Sequence, residues 1–162
     1  MVRGSEIQLT AKVLPENALE KTITWSSDKK SVAVVDQTGL VKALAVGSAN
    51  ITAEAGGKKA VCSLTVTAVP VESIVISFSD DETGEAVKAF ELIRTKEAKL
   101  KATVTPEEAL EEYSLVWSSS DEKLATVSQD GVVTAVTKEG VAEIIVTVGE
   151  NTEKCSVTVK PR

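Results

Sequence analysis

Four carboxylates gather around one glycine in the stretch "SDDETGEAV", where Asp80, Asp81, Glu82 and Glu85 flank Gly84. Oxygen ligands on a glycine-bearing loop suit a hard cation such as calcium, so Asp80, Asp81 and Glu82 are the metal candidates of this sequence. Their spacing does not follow the alternating D-x-D-x-D of a calcium loop, which favours a solvated acidic loop over a bound ion. Trp25 and Trp117 offer two further surfaces with chemical use, as platforms for stacking a sugar or as the centre of a core. Each shares strand parity with apolar neighbours, Ile23 in one case and Tyr113 and Leu115 in the other, and that parity favours the core. Two thiols complete the set. In "AVCSLTV" the alternation of Ala60, Cys62, Leu64 and Val66 puts Cys62 on the apolar face of a strand, and Cys155, Val157 and Val159 repeat it. Both are expected to be small buried hydrophobes with free thiols, because equivalent core positions of two separate domains cannot come within disulfide reach.

The remaining chemistry is excluded by residue type. The chain has no histidine, which removes His-based triads and His-ligated metal sites. No phosphate-binding glycine loop occurs, and no pair of acids faces another across a recognisable cleft. Asn50-Ile51-Thr52 matches a glycosylation acceptor but falls inside a strand pattern. The expectation is a protein without catalysis and without cofactor.

The elements that would carry these residues repeat. "TWSSDKKSVAVVDQTGLVKAL" at 24–44 returns as "VWSSSDEKLATVSQDGVVTAV" at 116–136, with nine of 21 positions identical. "LTAKVLPENALE" at 9–20 returns as "LKATVTPEEALE" at 100–111, and "CSLTV" at 62–66 as "CSVTV" at 155–159. A period of about 92 residues is the size of a domain rather than of a solenoid repeat. Two domains are therefore expected, 1–69 and 70–162, joined by the short stretch "TAVPVES" that Pro70 stiffens. The local period is two. Ile7, Leu9, Ala11 and Val13 alternate with polar residues, as do Ala98, Leu100, Ala102 and Val104. Short apolar runs follow at regular spacing, with turns at Gln37-Thr38-Gly39, Gln129-Asp130-Gly131, Gly56-Gly57 and Gly149-Glu150-Asn151. The fold class expected is all-β, two tandem sandwiches. Residues 79–95 have no counterpart in the first copy and form an insertion, in which 86–93 are open to a short helix or a hairpin arm.

Charge divides unevenly between the copies. Residues 1–69 carry eight basic and six acidic side chains, net +2, and residues 70–162 carry ten and eighteen, net −8. An acidic half without basic stretches interleaved with aromatics argues against nucleic acid as a partner. No apolar run approaches the roughly 20 residues that span a bilayer, and the start "MVRGSEIQLT" has no apolar signal core.

The ordered set of motifs resembles the bacterial immunoglobulin-like family, group 2. The first copy carries it as Pro15, Trp25-Ser26-Ser27, Val32-Ala33-Val34-Val35, Gly39 to Ala43, Gly47 and Cys62 to Val66. The second carries Pro106, Trp117-Ser118-Ser119, Ala125-Thr126-Val127, Gly131 to Ala135, Gly140 and Cys155 to Val159. The family opens with a strand of the type V-x-x-I-x-L, present as "VESIVIS" at 71–77 and without a counterpart in the first copy. The resemblance implies a non-catalytic structural or spacer pair within a bacterial cell-surface or extracellular protein, such as an adhesin, of which this chain is a mature or internal piece. Its partners would be the other domains of that protein. The alternative is a binding module that contacts a host protein, a cell-wall glycan or calcium through the insertion at 79–95.

Overall fold

Strict alternation of apolar and polar residues, broken by glycine-bearing turns, folds as fourteen strands and one short 3-10 helix with no α-helix. The structure is a computed structural model that describes all 162 residues. It divides into two units, Met1–Val69 and Pro70–Arg162.

In the first unit the strands are β1 (Glu6–Gln8), β2 (Thr24–Ser27), β3 (Ala33–Val35), β4 (Leu40–Ala43), β5 (Gly47–Ala55) and β6 (Lys58–Val66). They form two antiparallel sheets, β1-β4-β3 and β2-β5-β6. Between them lies a core of Trp25, Val32, Ala33, Val41, Ala43, Ile51 and Val66. Sandwiches of this kind hide one face of each sheet and leave the other to water.

The second unit contains β7 (Ser73–Phe78), β8 (Ala89–Ile93), β9 (Glu97–Thr105), a 3-10 turn (Glu107–Glu111), β10 (Leu115–Ser119), β11 (Ala125–Val127), β12 (Val132–Ala135), β13 (Gly140–Val148) and β14 (Asn151–Lys160). Its sheets are β11-β12-β9-β7 and β10-β13-β14-β8. Both units place a cis peptide bond at the equivalent proline, Leu14-Pro15 and Thr105-Pro106.

Two expectations change at the start of the units. Residues 86–93 form neither a helix nor a hairpin arm. Instead β8 lies parallel to β14, with Phe90 opposite Val157 and Leu92 opposite Val159. Phe90 and Leu92 turn inward while Ala89, Glu91 and Ile93 are exposed, a period of two within five residues. The end of the supposed insertion also has a counterpart. The Arg94 amide donates to the Lys160 carbonyl at 3.1 Å, and the Arg3 amide donates to the Thr67 carbonyl at 2.9 Å. One residue on, Thr95 bonds the Ala135 carbonyl as Gly4 bonds that of Ala43. Thr95 and Gly4 also share a left-handed backbone, φ 66° and 83°. Residues 1–4 therefore stand where 92–95 stand, and the unmatched part of the insertion ends before residue 92.

The other difference is β7. It pairs antiparallel with β9 over six residues, Ser73 opposite Thr105 through Phe78 opposite Leu100. No strand follows that path in the first unit, and residues 9–13 there belong to no ladder although their sequence alternates as β9 does. A strand is defined by its partners as well as its pattern.

Candidate functional site

The residues with chemical potential fall into three places. The first is the acidic loop after β7. Asp81 closes a tight turn on itself, its Oδ1 accepting from the Thr83 hydroxyl at 2.7 Å and the Thr83 amide at 2.9 Å. Those two bonds hold its carboxyl below the ordinary carboxylate pKa. The Lys101 ammonium donates to the Asp81 carbonyl at 2.8 Å and pins the loop to β9. Asp80, Asp81, Glu82 and Glu85 do not converge, and no three acids or thiols of the chain approach a common point. The loop offers no multidentate oxygen cage of the kind calcium takes. Phe90 is not an exposed tip either. It packs edge to face on Phe78, with ring centroids 5.5 Å apart and planes at 76°.

The second place is the tryptophan centre of each unit. Trp25 is 9 % exposed and Trp117 5 %. Each lies on β2 or β10, an edge strand of its sheet, so the backbone groups that point away from the sheet have no strand partner. A glutamine supplies one. Gln37 accepts from the Trp25 amide at 3.2 Å and donates to the Trp25 carbonyl at 3.1 Å. Gln129 does the same for Trp117 at 3.0 and 2.9 Å. Both glutamines sit in the turn between strands of the opposite sheet, so each amide ties the two layers together. Two residues on, Gly39 and Gly131 take φ of +89° and +78°. A side chain on Gly39 would meet the Leu9 carbonyl at 2.5 Å and the Trp25 ring at 3.1 Å, and Gly131 faces the Leu100 carbonyl and Trp117 in the same way. The turns were legible from sequence and the amide clamps were not. Their signal was there, since Gln37 and Gln129 are identical and each lies twelve residues after its tryptophan.

Polar clips around these centres differ between the copies. Asp28 accepts from the Asn50 amide at 2.7 Å and from the Asn50 side chain at 2.8 Å, which together lower its pKa. In the second unit Ser120 takes the amide of Glu143 instead. Asp36 accepts from the Thr38 hydroxyl, the Thr38 amide and the Leu40 amide, and its pKa is lowered, chiefly by the hydroxyl. Ser128 stands in its place and accepts from Val132. Asn50, the acceptor-motif residue, is held between Asp28 and the Ser63 hydroxyl within the β5–β6 hairpin.

The third place concerns the thiols, and here one expectation is overturned. Cys155 is buried at 1 % exposure, and burial, with the nearby Glu153 carboxylate, pushes its pKa up to about 11. Cys62 is exposed, not core. Parity does place it on the inner face of β6, but in the second unit β7 packs against β14 and covers that face. Without a strand on that path, Ala60 and Cys62 are open and Leu64 is half-buried.

A family model of the bacterial Ig-like domain (group 2) matches residues 1–66 and 87–159. Among curated proteins, an alpha-L-arabinofuranosidase of Bifidobacterium longum subsp. longum is 34 % identical over 132 residues, covering 80 % of this chain and 12 % of that protein. Ice-binding protein 1 of Shewanella frigidimarina is 28 % identical over 166 residues, 98 % of this chain and 18 % of that one. An Ig-like virion protein of Serratia phage KSP90 is 30 % identical over 165 residues, 96 % of this chain and 59 % of its own length. Among solved structures, surface layer protein SbsC, domains 1–6, is 22 % identical with a TM-score of 0.48, covering 87 % of this chain and 20 % of that one. The chain spans 12 % and 14 % of the arabinofuranosidase and of an uncharacterized Clostridium acetobutylicum protein.

Proposed function

The chain belongs to the bacterial Ig-like domain family, group 2, and on that premise we propose that it is a non-catalytic spacer, a pair of modules within a larger bacterial cell-surface or extracellular protein. The observation that carries this reading is where the repeated residues go. Trp25 and Trp117, their glutamine clamps and the glycines under the indoles all serve the inside of each module. What the two copies share is the means of folding, and a site shared for ligand chemistry has no residues left to use. Relatives such as the arabinofuranosidase are far longer than this chain, which fits modules that hold other domains apart. The partners on this reading are those domains, and the setting is outside the cytoplasm. Binding through residues 79–95 finds less support, because Phe90 packs inward and Asp81 closes its own turn.

A spacer must set a distance. With one fluorophore placed on an exposed strand of each unit, single-molecule energy transfer should give one narrow distribution, unchanged by millimolar calcium or by a panel of cell-wall glycans. A broad distribution of distances would contradict the spacer role. A distribution that shifts on adding a glycan, with the shift lost on deleting residues 79–88, would replace it with a binding module.

A further inference from the structure

We propose that the first unit is a strand acceptor: it takes up an extended peptide with apolar residues at alternate positions and an acidic residue at its leading end, along the path that β7 follows in the second unit. The second unit shows what such an occupant does. Ile74, Ile76 and Phe78 stand opposite Val104, Ala102 and Leu100 of β9. The equivalent residues of the first unit are Val13, Ala11 and Leu9, the same three types in the same order. Their backbone groups meet no neighbouring strand, and an open edge of this kind pairs readily with an added strand.

The opposite wall of the path is ready as well. Cys155 and Val157 are 1 % and 0 % exposed beneath β7, whereas their equivalents Cys62 and Leu64 are exposed and half-buried. At the leading end a groove of about 230 Å³ opens between Val13, Ile23 and Ala60. In the second unit that position is held by Ser73 and Ile74, which lie beside Glu153, the equivalent of Ala60. Smaller residues widen the groove further, since Ala53 replaces Val146 and Ala55 replaces Val148. Lys12, Lys58 and Lys59 line the same groove, and β7 is preceded by Glu72, so the charge at the leading end is complementary. Pairing on the edge of residues 9–13 would supply main-chain bonds, and the alternate apolar side chains would cover Cys62.

Cys62 is therefore the reporter, with Cys155 in the same chain as the buried reference. The probe is a synthetic peptide of residues 71–82, "VESIVISFSDDE", added to the whole chain while alkylation of each thiol is followed by mass spectrometry. At saturation Cys62 should label at least about tenfold more slowly, as a covered thiol does, with Cys155 unaffected. A peptide with lysine in place of both Ile74 and Ile76 should give no protection. A second variant removes any dependence on peptide affinity: residues 71–91 fused ahead of Met1 should bring Cys62 close to the rate of Cys155. Unchanged Cys62 reactivity in the fused chain overturns the proposal, as does equal protection by the lysine peptide. Protection that grows with the concentration of the chain alone would also overturn it, because the occupant would then be a second copy.

Discussion

Gln37 and Gln129 perform with a side-chain amide what a neighbouring strand would otherwise do for an edge tryptophan. Removing the amide leaves one backbone donor and one acceptor unpaired in a half-buried setting. Gln129→Ala should therefore destabilise the second unit by about 1–3 kcal/mol in urea titration. Gln129→Glu should lose part of that, since a carboxylate accepts from the Trp117 amide but cannot donate to its carbonyl. A loss below the error of the titration would mean that water replaces the clamp. The thiols show where residue-level reading succeeds and where it stops. Alternation assigns both to an inner face, and the structure agrees. Alternation says nothing about whether a strand lies over that face, so Cys62 was read as core when it is open. The amide clamps escape sequence for a related reason: their partners are near in space and twelve residues away in the chain.

At the scale of elements, the local period of two located every strand that alternates over four residues or more, because burying one face of a sheet demands it. β8 was missed because it is short and follows an acidic turn, and because its partner β14 runs parallel from the far end of the unit. Thr95, which ends β8, takes a left-handed conformation that costs a β-branched residue on the order of 1 kcal/mol. Thr95→Gly should raise the stability of the second unit by up to about that amount. Gly4→Thr should lower that of the first, although nothing lies within 4 Å of an added side chain there and strain alone would act. Denaturation midpoints of the two variants check both signs. A fall in stability for Thr95→Gly would show that the side chain makes up for its backbone.

For the whole molecule, the two units share a fold but differ in how they meet acid. Asp28 and Asp36 have folded pKa values depressed by the bonds they accept, so the stability they contribute is present above the unfolded carboxylate pKa. It is lost as pH falls through the lower folded values. Ser120 and Ser128 occupy those places in the second unit and do not titrate. Between about pH 5 and pH 3 the first unit should lose midpoint temperature by this route, and Asp28→Ser with Asp36→Ser should flatten its profile. An unchanged slope in the double variant would remove both aspartates from the account. The most direct test of the central claim, that the apparent chemistry of this chain is the machinery of two separate cores, is calorimetry of Trp25→Ala and Trp117→Ala beside the unaltered chain. The account predicts two transitions, with Trp25→Ala lowering one and Trp117→Ala the other, each by the equivalent of about 3–5 kcal/mol. If either variant leaves both transitions where they were, that tryptophan is held for something other than the fold and the claim is contradicted.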